Sequence, residues 1–183
     1  MSAPATGLGL RTRWRLFVES LGLQGSWNPQ RMQNLGLLAV MNVWLRGVPR
    51  DVERDRLFCR RYYGFFNTNP YLANYRVGAL LRLESERGTD RPPPDGLAAT
   101  VRDSLGRSLA SLGDQLFWLG LRPALVMGMS LLALDGSVGG VLALVGIFAL
   151  GQFLLRWLAL ERGYALGLDL SLIHISEPTR PTR

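Results

Sequence analysis

The sequence predicts an all-α integral membrane protein, and three observations carry the prediction. Residues 137–155 (SVGGVLALVGIFALGQFLL) hold no charged side chain, and as a helix rising about 1.5 Å per residue they just cross a hydrocarbon core of about 30 Å. Residues 116–134 are nearly as apolar, broken only by Arg122-Pro123, and Asp135-Gly136 alone separates the two stretches. One such stretch also reads as the core helix of a soluble protein, but two in tandem favour the bilayer. The remainder carries apolar residues at helical spacing and no strongly alternating run of the kind that makes a half-buried strand. The expected organisation is a region of amphipathic helices over 1–111, facing the cytoplasm or re-entrant, followed by membrane-embedded helices over 112–170.

In the first region, Asn28 is placed to cap a helix that starts at Pro29 and runs to about Leu45, before Gly47 and Pro49. A second helix begins near Asp51, with Asp51, Glu53 and Asp55 in its first turn, where the helix dipole favours negative charge. Leu57, Phe58, Tyr62 and Phe65 fall on one side of it, and Pro70 ends it or kinks the chain. A third spans about 71–86 with Leu72, Tyr75, Ala79 and Leu83 at helical spacing, and residues 88–96 (GTDRPPPDG) read as a loop. A fourth carries Leu97, Val101, Leu105 and Leu109 on one stripe, with Arg102 and Arg107 off it. These apolar faces either pack on each other or rest on the membrane interface or a partner subunit, and the stripes leave both open.

Charge and composition exclude several functions. The 183 residues carry a net charge of +7, and every cation is Arg. The single cysteine, Cys59, excludes a disulfide within the chain and a Cys-rich zinc site. There is no glycine-rich nucleotide loop, zinc spacing or hydrolase elbow, so no cofactor and no metal are expected. Arg11, Arg13 and Arg15 stud the first apolar run, which does not look like a secretory signal and places the N-terminal region in the cytoplasm by the positive-inside rule. An Arg-rich soluble domain binding nucleic acid is the competing reading. It is disfavoured because the Arg residues are interleaved with acids rather than clustered and the chain carries membrane-like segments, so no nucleic-acid partner is expected. Residues 171–183 (SLIHISEPTRPTR) break from the preceding pattern and resemble the conceptual translation of a sequencing adapter. The natural protein is then expected to continue beyond about Leu170, and the only histidine, His174, falls outside it.

Three motifs point to function: Trp27-Asn28-Pro29-Gln30-Arg31-Met32-Gln33-Asn34-Leu35-Gly36, Phe65-Phe66-Asn67-Thr68-Asn69-Pro70-Tyr71-Leu72, and Gly113-Asp114-Gln115-Leu116-Phe117-Trp118 followed by Leu121-Arg122-Pro123. In order and spacing they resemble the IID subunits of the mannose/fructose/sorbose-type bacterial sugar phosphotransferase system. That family's pattern is approximately WNYxRMQNxG, FFNTHPYLA, a Glu-rich helix end, GPLAGIGDxLFW and RP. This chain departs from it at Pro29, at Asn69 in place of His, at Ser85 between Glu84 and Glu86, and at Arg107-Ser108-Leu109-Ala110-Ser111 in place of GPLAG. The last change puts an irregular backbone there in question.

The resemblance implies a multi-pass subunit of the bacterial cytoplasmic membrane. With IIC it would form the pathway for a hexose, while IIB, fed by IIA, phosphorylates the sugar, all within an oligomeric complex in contact with membrane lipid. A chain without a natural histidine fits the non-phosphorylated subunit. A sugar must be held by amides and carboxylates that trade hydrogen bonds with its hydroxyls. Asn67, Thr68, Asp114, Gln33, Asn34 and Glu84 are therefore the candidate sugar contacts. Each has a structural alternative: Asn67 and Thr68 as helix caps, Asp114 as a cap or the partner of Arg122, Gln33 and Asn34 as ties between helices, and Glu84 as a solvated helix end. A second functional reading, a regulatory membrane protein that keeps the scaffold without transporting, rests on the altered GPLAG region.

Overall fold

In the computed structural model, which describes residues 8–87 and 97–167, the elements are α1 (Leu10–Leu21), α2 (Asn34–Leu45), α3 (Val52–Tyr62), α4 (Ala73–Arg87), α5 (Leu97–Gly113), a π-helical stretch (Asp114–Leu121), α6 (Arg122–Leu134) and α7 (Val138–Leu166). Among the described residues there is no strand, only two isolated bridges, Asn28 with Met32 and Met32 with Phe66. The all-helical expectation therefore holds. The loop at 88–96 and the tail at 171–183 lie outside the described residues, as do the side chains of Leu97, Val101 and Leu105 on the α5 stripe.

The amphipathic helices pack on each other. Leu16 of α1, Leu37, Val40 and Met41 of α2, Tyr62 of α3 and Val77, Leu80 and Leu81 of α4 form one core, closed by Leu160 and Tyr164 at the far end of α7. The sequence of α2, NLGLLAVMNVWL, is apolar on nearly every side, as its position in contact with α1, α3 and α4 requires. Aromatic rings extend the core: Trp44 stacks on Phe58 at 5.7 Å, and Phe17 meets Trp157 edge-on at 5.4 Å.

Glycines set the close crossing of α4 and α7. A methyl group on Gly163 would stand 2.8 Å from the Tyr75 carbonyl carbon and nearer still to its oxygen. One on Gly78 would stand 2.6 Å from the Tyr164 backbone nitrogen. Only hydrogen fits at either place, so the two backbones touch directly. Asn74 fastens the same crossing by donating to the Arg156 carbonyl (3.1 Å), and it ties α1 to it by donating to the Ser20 hydroxyl (2.9 Å).

Beyond this body the chain is a helical hairpin. Two continuous helices, Gly106–Leu134 and Val138–Leu166, are each 29 residues long and apolar enough to cross a membrane. They turn over at Asp135-Gly136-Ser137, where Gly136 takes φ 72° and the Ser137 amide donates to the Leu132 carbonyl at 2.8 Å. Away from the seam between them and from the end of α7 packed on the body, their side chains point outward, with Leu131, Leu142 and Ile147 each about two-thirds exposed. In water this surface would be strongly unfavourable; in lipid it carries no penalty. The helix runs unbroken through Arg122-Pro123. Pro123 donates no amide hydrogen and crowds the carbonyl four residues back, and the widened turns of Asp114–Leu121 just before it relieve that clash. Arg107 to Ser111, in doubt as an irregular segment, is regular α-helix.

Two element boundaries differ from expectation. The helix expected from Pro29 begins at Asn34. Asn28 does accept a hydrogen bond from the Arg31 amide (2.8 Å), but the chain then folds back: Asn28 and Met32 exchange backbone bonds at 3.0 and 2.8 Å, and Met32 sits at φ 57°. The Gln33 amide donates to the Phe66 carbonyl (2.8 Å), and this long-range tie outweighs the local helix signal. The helix from Asp51 starts as expected, its carboxylate accepting from the Arg54 amide at 2.9 Å. It ends at Tyr62, so Phe65 leaves the helical stripe and is half exposed.

Candidate functional site

The Phe66-Asn67-Thr68-Asn69 loop joins α3 to α4, and buried amides shape it. Gln33, almost fully buried, grips the Thr68 backbone from both sides: its Nε2 donates to the Thr68 carbonyl (3.0 Å) and its Oε1 accepts from the Thr68 amide (3.3 Å). Asn34, equally buried, accepts from Asn28 Nδ2 (2.8 Å) and donates to the Tyr63 carbonyl (3.0 Å). The two motifs singled out in the sequence are thus one structure, with the first motif's amides holding the second motif's backbone. Thr68 turns inward, and its hydroxyl oxygen is buried without a hydrogen-bond partner.

This arrangement leaves Asn67 exposed on the rim of a cavity of about 340 Å³ between the loop, α4 and α5. Its lining includes Phe65, Asn67, Arg76, Asp103 and Arg107. That volume falls within the range of roughly 300–1,000 Å³ typical of small-ligand sites. At its floor lies Arg76, which is 2% exposed. Its guanidinium donates to the Asn67 carbonyl at 2.8 Å, lies 4.2 Å from the Phe66 ring centroid, and packs under Gly106. A ligand here meets an amide, two guanidiniums and a carboxylate beside an aromatic face, which is suitable chemistry for a neutral polyhydroxylated molecule.

Asn69 and Asp114 stand on the neighbouring side of the same loop. Asn69, buried, accepts from the Tyr71 amide (3.1 Å) and donates to Asp114 Oδ1 (3.0 Å). Gly113 permits the approach, since a methyl group there would stand 2.9 Å from Asn69 Nδ2 and nearer to its carbons. Neither Asn67 nor Thr68 caps the following helix; the Asn69 bond to the Tyr71 amide instead shapes the turn that leads into α4. Asp114, exposed, neither caps a helix nor pairs with Arg122. It remains open to a further donor at the start of the widened π-helical turns, a geometry often found at functional sites.

Glu84 belongs elsewhere. It is 5% exposed and accepts from Arg61 (2.7 Å) and from the Tyr62 hydroxyl (2.5 Å). It is not the solvated helix end expected, because α3 lays a cation and a phenol over it. It also does not line the cavity. Burial, then the negative charge of Glu84, push the Tyr62 phenol well above its ordinary value. Sequence reasoning passed over Arg76, although an arginine inside the apolar run of α4 was the available signal. It also passed over Asp103. Among the described residues no group of three or more His, Cys, Asp or Glu could hold a metal ion.

The model of the mannose/fructose/sorbose family IID component of the phosphotransferase system matches residues 8–177. The chain belongs to that family. The mannose-specific EIID component of Escherichia coli K12 is 33% identical over 156 residues, covering 85% of this chain and 55% of that protein. The sorbose-specific EIID component of Lacticaseibacillus casei is 31% identical over 157 residues, covering 86% and 56%. The chain thus spans about half the length of the curated relatives it matches. Among solved structures, the mannose transporter ManYZ in complex with microcin E492 superposes with a TM-score of 0.83 at 32% identity, over 90% of this chain and 61% of that one. A further structure described only as a membrane protein gives 0.83 at 31%. As a IID chain this is a membrane protein, and the nucleic-acid reading falls away.

Proposed function

We propose that this IID chain, with a IIC subunit, forms the pathway that carries a hexose across the bacterial cytoplasmic membrane, coupled to phosphorylation by IIB supplied from IIA. The observation that carries the reading is that hydrogen bonds join the three motifs around one polar loop, with a cavity at its side lined by Phe65 and Asn67 of the second motif. Asn67 presents its amide at the cavity rim, and Asp114 presents its free carboxylate oxygen at the head of the π-helical turns. Both would exchange hydrogen bonds with sugar hydroxyls. Gln33, Asn34 and Thr68 act behind them by fixing the loop. Glu84 supports α3 on α4 rather than touching sugar. In this reading the Arg-rich body lies on the cytoplasmic side of a multi-pass chain, which the excess of arginine and the pair of long apolar helices support.

The test is phosphoenolpyruvate-dependent hexose uptake in cells lacking their own mannose-type permease, with the natural gene co-expressed with its IIC, IIB and IIA neighbours. Asn67→Ala with Asp114→Ala should lower uptake at least tenfold while membrane levels of the protein stay constant. Uptake unchanged in the double variant removes both residues from the site, and no uptake by the unaltered set removes the transport reading.

A further inference from the structure

The charged side chains between residues 116 and 160 are Arg122, Asp135 and Arg156. Asp135 sits at the hairpin turn, and among the described residues neither arginine has an ion pair. Yet the structure gathers both arginines around one aromatic ring. The Arg122 guanidinium donates to the Tyr71 hydroxyl (3.1 Å) and lies 6.0 Å from the Tyr71 ring centroid; that of Arg156, from the other helix of the hairpin, lies 5.4 Å from the same centroid. Arg122 also stacks on Trp118 at 4.0 Å, and Arg156 Nε is buried with no hydrogen-bond partner.

Their depth is informative. At about 1.5 Å per residue, Arg156 stands about 28 Å along α7 from the Ser137 turn, close to the full hydrocarbon thickness of about 30 Å. Arg122 starts deeper, but its side chain leans toward its helix N-terminus and reaches the same level at Tyr71. Two uncompensated cations beside a Tyr and a Trp therefore lie at the membrane–water boundary on the side of the helical body.

An apolar groove of about 620 Å³ opens from this point between the two helices, lined by Leu121, Leu125, Gly128, Leu144, Phe148 and Gly151. Phe117 joins the two features, since it lines the groove and packs on Tyr71 at 4.5 Å. We propose that the groove and the arginine pair form one site for an anionic phospholipid, with the phosphate between Arg122 and Arg156 and an acyl chain in the groove toward Asp135. Charge complementarity selects this occupant: paired guanidiniums match phosphate oxygens, and only a molecule with a long apolar tail also fills the groove.

The full chain, extracted in mild detergent and stripped of lipid, is titrated with dioleoyl phosphatidylglycerol, dioleoyl phosphatidylcholine and inorganic phosphate, and bound molecules are counted by native mass spectrometry. Phosphatidylglycerol should bind at least tenfold tighter than phosphatidylcholine. The paired change Arg122→Gln and Arg156→Gln should abolish the preference, and the paired lysine change should keep most of it. Gly151 has open space beside it, so Gly151→Leu should fill the groove without a clash, weakening the dioleoyl lipid at least fivefold and leaving dihexanoyl phosphatidylglycerol unaffected. Should the glutamine pair not fold, the chain-length comparison in Gly151→Leu decides alone. A preference that survives the glutamine pair overturns the proposal. So does inorganic phosphate that displaces the lipid at equal concentration. If an acidic side chain of a partner subunit covers the arginines instead, the assembled complex retains equal phosphatidylglycerol with and without the glutamine pair, and the lipid site is refuted.

Discussion

The crossing of α4 and α7 makes a quantitative prediction from a single methyl group. In Gly163→Ala the new carbon would stand 2.8 Å from the Tyr75 carbonyl carbon, where ordinary contact begins at 3.4 Å. The obstacle is backbone within a helix, so no rotamer relieves it and the helices must move apart. That movement loosens Val77, Leu80, Leu81 and Leu160, all at most 2% exposed. Overpacking of this kind costs about 1–3 kcal/mol, and an unyielding backbone puts this case near about 3 kcal/mol. For a chain of this size that lowers the melting midpoint by roughly 6–12 °C. The control is Gly146→Ala on the same helix, where a methyl group meets nothing within 4 Å. There the better helix former should be neutral or stabilise by up to about 1 kcal/mol. Thermal unfolding in detergent, followed by helical circular dichroism, reads both. If Gly163→Ala melts within a degree of the parent, or if both variants fall equally, the glycine crossing does not set the helix spacing.

Other outcomes follow from single contacts. Tyr62→Phe removes the hydroxyl donated to Glu84 and should cost about 2 kcal/mol at neutral pH. The raised phenol keeps its proton in the folded chain while the unfolded chain loses it above about pH 10, so the parent should lose up to about 1.4 kcal/mol per pH unit there. The gap between parent and variant should therefore narrow above that pH, and a gap constant to pH 11 in alkaline melts would contradict the assignment. Gln33→Leu strips the buried Thr68 amide and carbonyl of their partners and should cost about 2–4 kcal/mol; hydrogen exchange at the Thr68 amide, unchanged, would count against the clamp. Asn69→Ala removes both the bond to the Tyr71 amide and the tie to Asp114. It should cost about 1–2 kcal/mol and should lower hexose uptake, whereas Asn69→Asp, which keeps an acceptor for Tyr71 but sets two carboxylates side by side, should lower uptake more than stability.

Much of this fold was legible because its signals are local. The apolar stretches announce the hairpin, Asp51 announces the start of α3, and the spacing of Leu72, Tyr75, Ala79 and Leu83 announces α4. The site was only half legible. That Asn67, Asp114 and Gln33 belong together came from motif resemblance, but which of them faces open space depends on contacts across 35 or more residues, such as Gln33 with Thr68 and Asn69 with Asp114. Local reading assigned Asn28 a helix start because nothing near it in sequence shows that Phe66 will claim the Gln33 amide. It read Glu84 as solvated for the same reason, since Arg61 and Tyr62 arrive from another helix.

A consequence follows from the unbroken course of α7. One end is clamped against α4 by Gly78 and Gly163, while the other stands free of the body. Such a helix behaves as a stiff beam with its fulcrum at the crossing. A lateral push on its far tip bears on Asn74 and on the strut it makes with the Arg156 carbonyl. The arginine at the cavity floor is carried on that same α4, so the hairpin and the cavity share one support.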